Sequence, residues 1–273
     1  MIQIYRTGDK NPQKYESFKF SDGALQVKAE LLTFNADDIT IHAHLQSADD
    51  ILELIMATDA VRRRLGPKST LRLICPYLPY ARQDRVMNKG EAHGLRVMCD
   101  LINSLNFGVV EVWDVHSDVA LALLNNVMHY EQSTFVQTVP VDHKNLILVA
   151  PDAGAIKKTF KISKGRGIPM VRADKTRSVE DGSITGTVVY SEHVGTKNFL
   201  IVDDICDGGR TFIELAKELR KLTDGKVLLY VTHGIFSKGF EPFGDLIDKI
   251  FVANPFLNVD LTNPLVYKLN LEY

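Results

Sequence analysis

Phe199-Leu200-Ile201-Val202-Asp203-Asp204-Ile205-Cys206-Asp207-Gly208-Gly209-Arg210-Thr211 reads as an apolar strand, two acidic residues, a glycine-containing loop and a helix start, in that order. Backbone N–H groups of such a loop and of the helix N-terminus can wrap a phosphate. Gly208 and Gly209 allow close approach, and the Thr211 hydroxyl adds a donor. Asp203 and Asp204, just upstream, are placed to accept hydrogen bonds from adjacent sugar hydroxyls. The bland reading is an Asp-rich turn that caps the next helix. The completeness of the pattern favours a sugar-phosphate site.

Working outward, short apolar runs alternate with stretches of helical period, the pattern of βαβ units and of a mainly parallel sheet. Ile39 to Leu45 reads as a strand, and Ser47-Ala48-Asp49-Asp50 as a capping box. The helix it opens carries an apolar stripe of Ile51, Leu54, Ile55 and Val61, with Thr58 on the same face, and Gly66-Pro67 stops it. Leu71 to Cys75 is a second strand, His93 to Leu105 a helix, and Val109 to Val115 a third strand. A second series follows Pro140, with strands at Leu146 to Ala150, Phe199 to Val202 and Val227 to Thr232, and helices after Gly154 and after Thr211. Between them, Val171 to Ser191 reads as an exposed hairpin flap with an alternating tail from Ile184 to Tyr190. The expected boundaries are a domain over residues 1–139 and another over 140–273.

Composition excludes several classes. At 273 residues and 45% hydrophobic content there is ample material for buried cores, so the chain is globular. Lys plus Arg (32) nearly balances Asp plus Glu (34), which gives no polyelectrolyte attraction to nucleic acid or to acidic membranes. Cys75, Cys99 and Cys206 are widely separated and form no CxxC pair, arguing against a disulfide framework or a structural zinc site. A reducing, cytoplasmic compartment is expected. Met1 to Lys10 lacks the apolar core of a signal peptide, and no stretch approaches the ~20 apolar residues of a membrane span.

The strand–loop–helix resembles the phosphoribosyl-diphosphate (PRPP) binding motif of type I phosphoribosyltransferases, a family that shares its fold with the ribose-phosphate pyrophosphokinases. Pro76-Tyr77-Leu78-Pro79-Tyr80-Ala81-Arg82-Gln83-Asp84-Arg85 resembles the nucleotide-binding signature of the pyrophosphokinases and has no counterpart in the transferases. Further matches follow in family order: Leu54 to Ala60, Asp114-Val115-His116-Ser117, Pro151-Asp152-Ala153-Gly154 and Thr232 to Ser237. The resemblance implies an α/β fold of two similar phosphoribosyltransferase-like domains, each with a mainly parallel sheet flanked by helices. The N-terminal one would bind nucleotide, and the C-terminal one ribose 5-phosphate, with the flap as catalytic loop. The implied reaction moves the diphosphoryl group of ATP onto the C1 hydroxyl of ribose 5-phosphate, giving PRPP and AMP.

Such chemistry attacks the β-phosphorus, where charge must be neutralised, and Mg²⁺ is the implied cofactor. His116 and Asp152, each at the carboxyl end of an expected strand, are implied at the Mg·ATP centre, His116 also in the catalytic set. Arg82 and Gln83 are implied ATP contacts. Phe34 is implied to stack on adenine, with Asp38 in the same loop, and that loop reaches a neighbouring subunit's site in the family, so a homo-oligomer (dimer or hexamer) is expected. Lys175 and Arg177, two residues apart on an extended segment, fall on one side and could reach one diphosphate. The resemblance places them in the catalytic loop. Asp203, Asp204, Asp207, Gly208, Gly209, Arg210 and Thr211 are assigned to ribose 5-phosphate. Tyr77 and Tyr80 are read as packing residues.

The match departs at named positions. Ala36, Asp37 and Asp38 stand where the family usually has Asp, Gly and Glu; Ala155 replaces a Gly; and Arg210 resembles the basic residue of many transferases. Val86 to His93 lacks the usual Pro, and the terminal helix typical of the family is not seen before Tyr273. ADP inhibition by competition with ATP alone, without a phosphate requirement, is the corresponding expectation. A PRPP-consuming transferase and a non-catalytic, synthetase-associated partner stand as alternatives.

Overall fold

Asp38–Ala43 (DITIHA) shows the local logic of the first sheet: Ile39, Ile41 and Ala43 are buried while Thr40 and His42 are half-buried, the period-2 alternation of a strand with one face on a core. The structure, a computed structural model, describes residues 1–6, 8–30, 38–65, 69–177 and 184–271. The chain separates into two units, Met1–Tyr130 and Glu131–Tyr273.

The first unit runs β1 (Ile2–Arg6), β2 (Lys14–Lys19), β3 (Leu25–Glu30), β4 (Asp38–Ala43), α1 (Ala48–Arg62), β5 (Thr70–Ile74), α2 (Gly94–Ser104), β6 (Val109–Trp113), α3 (Val119–Leu123) and β7 (Val127–Tyr130). Its main sheet has the order β1-β4-β5-β6-β7, with β1 antiparallel and the other neighbours parallel. β2 and β3 make a separate antiparallel hairpin. The expected cap of α1 is present: the Ser47 hydroxyl accepts the Asp50 N–H at 3.2 Å and donates to the Asp50 carboxylate at 2.7 Å. Leu54, Thr58 and Val61 are buried as expected, and Thr58 satisfies its hydroxyl on the Leu54 carbonyl at 2.7 Å. The helix ends at Arg62; Gly66 and Pro67, the expected stop, lie outside the described residues.

The second unit runs α4 (Gln132–Val136), β8 (Leu146–Ala150), α5 (Ile156–Arg166), β9 (Met170–Arg177), β10 (Ile184–Val189), β11 (Asn198–Cys206), α6 (Arg210–Arg220), β12 (Val227–Gly234), β13 (Lys249–Pro255) and β14 (Val266–Lys268). Its sheet has the order β10-β9-β8-β11-β12-β13-β14, parallel except for the β9–β10 hairpin. β8 and β12 are buried along their whole length, as a parallel sheet covered on both faces requires. The expected flap is thus an edge hairpin of this sheet, its residues 178–183 outside the described ones.

Mainly parallel sheets with helices are borne out in both units. The boundary is not where it was expected: it follows Tyr130 rather than Val139. Short α4 belongs with α5, held by the Lys161–Glu131 ion pair and by Arg166 donating to Gln137 at 3.0 Å. Five residues are too few to show a helical period, so the sequence gives no sign of α4.

Candidate functional site

In the second unit the sheet edge formed by the carboxyl ends of β8, β9, β11 and β12 gathers the chemistry. β11 is longer than the apolar run Phe199 to Val202, because its parallel pairing with β12 continues to Cys206↔Gly234. Asp203 and Asp204 therefore belong to the strand. The chain then turns through Asp207 and Gly208 to Gly209, which caps α6 in the left-handed region at φ 76°. A Cβ there would stand 2.5 Å from Cζ of Phe243, so both conformation and space demand glycine. α6 begins at Arg210, one residue before Thr211, with Arg210 exposed and Thr211 partly buried.

Three carboxylates meet at this edge. Burial, then the charges of Asp204 and Asp152, push Asp203 well above the usual carboxylate range. Asp204 is buried and pairs with the Lys158 ammonium at 3.3 Å. Asp152 opens the turn after β8 and accepts the N–H groups of Gly154 at 3.0 Å and Ala155 at 3.2 Å through one oxygen. Lys175 and Arg177 lie at the carboxyl end of β9, which runs parallel to β8, so the backbone brings them to the same edge.

The segment after β12 completes the loop in a way the sequence did not reveal. Ile235 and Phe236 both donate their N–H to the Cys206 carbonyl, at 2.8 and 3.1 Å. Ser237 donates its hydroxyl to Asp207 at 2.6 Å. Ser237 ends the stretch Thr232 to Ser237, and only this tertiary contact shows that it holds Asp207.

In the first unit the equivalent edge carries the segment Pro76–Arg85 after β5 and His116 after β6. Arg82 and Gln83 are exposed, and so is His116. The backbone of Gln83 is fixed, its N–H on the Tyr80 carbonyl at 2.9 Å and its carbonyl accepting from Leu95 at 3.2 Å. Its side chain lies over Gly94, where an added Cβ would be 2.1 Å from Oε1. Asp84 is held below the usual carboxylate range by Arg85, with Ser117 and His116 contributing, which ties this segment to the loop bearing His116. Tyr80 is 42% exposed, at φ 61°, and packs only through the part of its ring that lies against Gly94.

Of the other two expected ATP residues, Phe34 lies outside the described residues. Asp38 is the first residue of β4, paired with Thr70 at the start of parallel β5, so it sits at the opposite edge of the sheet from His116. A strand's length, ~17–20 Å, separates the two edges, so Asp38 cannot join Arg82, Gln83 and His116 within one chain. The same unit exposes another aromatic pair, Phe18 and Phe20, whose rings meet edge-on at 5.1 Å in the β2–β3 hairpin.

The donor set suits a hard cation. Among the described residues no three His, Cys, Asp or Glu side chains form a ready-made metal cage. Mg²⁺ held largely by substrate phosphates and water needs only one or two protein groups, and the crowded carboxylates around Asp203 favour a cation nearby.

Residues 3–105 match the family model described as the N-terminal domain of ribose phosphate pyrophosphokinase. A ribose-phosphate pyrophosphokinase of Mycoplasma pneumoniae is 30% identical over 249 residues, covering 86% of this chain and 74% of that protein. The chain belongs to the ribose-phosphate pyrophosphokinase family. The Pyrococcus furiosus member is 29% identical, with 86% of this chain and 84% of that protein covered. The fold is that of the solved phosphoribosylpyrophosphate synthetase from Mycobacterium smegmatis: TM-score 0.78, 21% identity, 94% of this chain and 86% of that one. Family membership sets aside the PRPP-consuming transferase reading.

Proposed function

We infer that this chain is a ribose-phosphate diphosphokinase that transfers the diphosphoryl group of ATP to the C1 hydroxyl of ribose 5-phosphate, giving PRPP and AMP. The observation that carries the reading is the glycine loop beside the carboxylates of Asp203 and Asp204, in a chain of this family. The C1 oxygen attacks the β-phosphorus, the bond from that phosphorus to the α-phosphate oxygen breaks, and the hydroxyl proton is released.

Residues 207–211 take the 5-phosphate on backbone N–H groups at the start of α6, with Arg210 and Thr211 as side-chain donors. Asp203 and Asp204 accept hydrogen bonds from the ribose hydroxyls. Arg82 meets ATP phosphate as a charged donor and Gln83 meets the nucleotide through its amide. Lys175 and Arg177 stabilise the charge that develops on the transferred group and the leaving oxygen. His116 and Asp152 are the groups that would hold Mg²⁺, directly or through water. When bound, Mg²⁺ neutralises phosphate charge and makes the β-phosphorus more electrophilic. Adenine stacking falls to an aromatic ring, for which the resemblance names Phe34; the exposed Phe20 of the described hairpin is a second candidate.

We read the enzyme as a homo-oligomer acting in the cytoplasm. The three buried cysteines are free thiols, which suits a reducing compartment, and no helix among the described residues is long and apolar enough to cross a membrane. The test is to incubate the protein with ATP, ribose 5-phosphate and Mg²⁺. Equal amounts of AMP and PRPP, formed only with a divalent metal, are expected. ADP in place of AMP would refute the reaction type, and no product at all would favour a non-catalytic partner.

A further inference from the structure

We propose that Lys238 is an additional phosphate-binding residue of this site, supplying a cation to the phosphate monoester of ribose 5-phosphate. The proposal rests on the reading of loop 207–211 given above. Lys238 lies outside every motif that pointed to that loop, and its place became visible only through contacts around Gly208.

Position comes first. The segment after β12 is pinned to the phosphate loop by the two N–H bonds from Ile235 and Phe236 to the Cys206 carbonyl and by the Ser237–Asp207 bond. Next in the chain is Lys238, and Gly239, at φ 67°, turns the chain away. The aliphatic stem of Lys238 lies over Gly208: its Cγ is 3.6 Å from where a Cβ on that glycine would stand, an ordinary van der Waals contact. The residue is exposed and, among the described residues, forms no ion pair.

Charge supplies the need. Between Asp203 and Thr211 the chain carries three carboxylates, Asp203, Asp204 and Asp207, against one cation, Arg210. The nearby Lys158 is already paired with Asp204. A phosphate monoester carries close to two negative charges, so backbone N–H groups and one arginine leave it facing an acidic surround. A lysine is a point charge on a flexible stem with three rotatable donors, able to reach a phosphate that arrives with the substrate. Its contact at Gly208 places its stem against the loop that takes the phosphate.

The experiment compares wild type with Lys238→Ala and Lys238→Arg, measuring steady-state rates with each substrate varied and ribose 5-phosphate binding by calorimetry. The Ala variant should raise KM and Kd for ribose 5-phosphate about tenfold, the size of one lost charge-assisted phosphate contact. It should weaken inhibition by inorganic phosphate competing with ribose 5-phosphate, and leave kcat and the KM for ATP unchanged within about twofold. The Arg variant should recover most of the loss. An unchanged KM and Kd for ribose 5-phosphate, or an equal rise in the KM for ATP, would overturn the proposal. Calorimetry separates it from the activity reading. A wild type that binds ribose 5-phosphate in a Lys238-dependent way but makes no PRPP leaves Lys238 in place and removes the activity. A wild type that makes PRPP while the Ala variant behaves identically does the reverse. Failure of the wild type to bind ribose 5-phosphate sinks both.

Discussion

Gly209→Ala tests the phosphate loop most sharply, because two separable penalties meet at one Cβ. The residue caps α6 at φ 76°, where an L side chain costs roughly 1–2 kcal/mol. The new methyl would also stand 2.5, 3.0 and 3.3 Å from three atoms of the Phe243 ring, which is itself almost fully buried. Such overpacking costs about 1–3 kcal/mol. The expected total is therefore about 2–5 kcal/mol, a large share of the 5–15 kcal/mol typical of a domain. The assay is urea unfolding followed by circular dichroism, since the single tryptophan, Trp113, sits in the other unit. At ~2 kcal/mol per molar urea the midpoint of the Glu131–Tyr273 unit should fall by about 1–2.5 M. The same substitution in a Phe243→Leu background removes the ring contact and keeps the backbone strain, so its cost should drop to about 1–2 kcal/mol. The KM for ribose 5-phosphate should rise in both backgrounds, because the loop N–H groups move with the cap. An equal cost in the two backgrounds, or a cost below about 0.5 kcal/mol, would refute the steric reasoning.

The other predictions concern chemistry. Gly94→Ala should push the Gln83 amide aside, given the 2.1 Å approach to its Oε1, and raise the KM for ATP several-fold; in a Gln83→Ala background it should add nothing, and additive effects would remove Gln83 from the nucleotide contact. Lys175→Ala should lower kcat on the order of 100-fold with little change in unfolding, and an unaltered kcat would take Lys175 out of the catalytic set. For Asp203, the folded carboxyl holds its proton above the usual carboxylate range, so between the unfolded and folded values the native state binds more protons and loses stability as pH rises. Asp203→Asn should abolish that decline in metal-free buffer, making the variant the more stable protein at neutral pH while weakening ribose 5-phosphate more than ATP. Parallel pH–stability curves for the two proteins would contradict the shift. Phe20→Ala and Phe34→Ala, compared for KM of ATP, assign adenine stacking to the ring whose loss raises it, and no change in either would end the stacking idea.

Much of the architecture was legible because parallel strands are apolar runs with punctuation at both ends. Leu146 to Ala150 and the Ser47 cap stand where the pattern puts them, since each is decided by neighbours in sequence. Elements decided by distant neighbours were not legible. β1 and β3 do alternate, through Ile2 and Ile4 and through Leu25, Val27 and Ala29, and that period went unused; β2 is almost wholly exposed and shows none, with Lys14–Glu30 and Lys28–Glu30 pairs on the surface of the hairpin. β11 runs through Asp203 and Asp204 because β12 pairs with it that far, against the poor strand propensity of aspartate. The place of Asp38 was not legible either: a motif says nothing about which end of a parallel strand a residue occupies, and Asp38 stands at the end away from His116 of the same chain, which leaves it to the neighbouring subunit's site that the resemblance implies.

The non-glycine residues at positive φ show what site geometry asks of the backbone. Among the described residues they are Tyr80, Asn106, Asp114, Asn126 and Phe236. Asn and Asp tolerate that region through local hydrogen bonding, which leaves the two aromatics as the strained positions. Both stand at sheet edges that carry site residues: Tyr80 two residues before Arg82, Phe236 next to Ser237. For Phe236 the compensation is visible. Its ring is 6% exposed and packs on Phe240 at 4.8 Å and Phe243 at 6.3 Å, burial worth roughly 1.5–3 kcal/mol against a conformational cost of about 1–2 kcal/mol. The same Phe243 closes off the space at Gly209, so one aromatic cluster both offsets the strain at Phe236 and enforces glycine in the phosphate loop. Tyr80 has no such burial. What holds it is the neighbouring backbone: the Gln83 N–H on its carbonyl, and Gly94, whose missing side chain leaves room for the Tyr80 ring. In both units, then, a glycine makes room for an aromatic ring, and the loop thereby held in a strained conformation is the one that presents the polar groups.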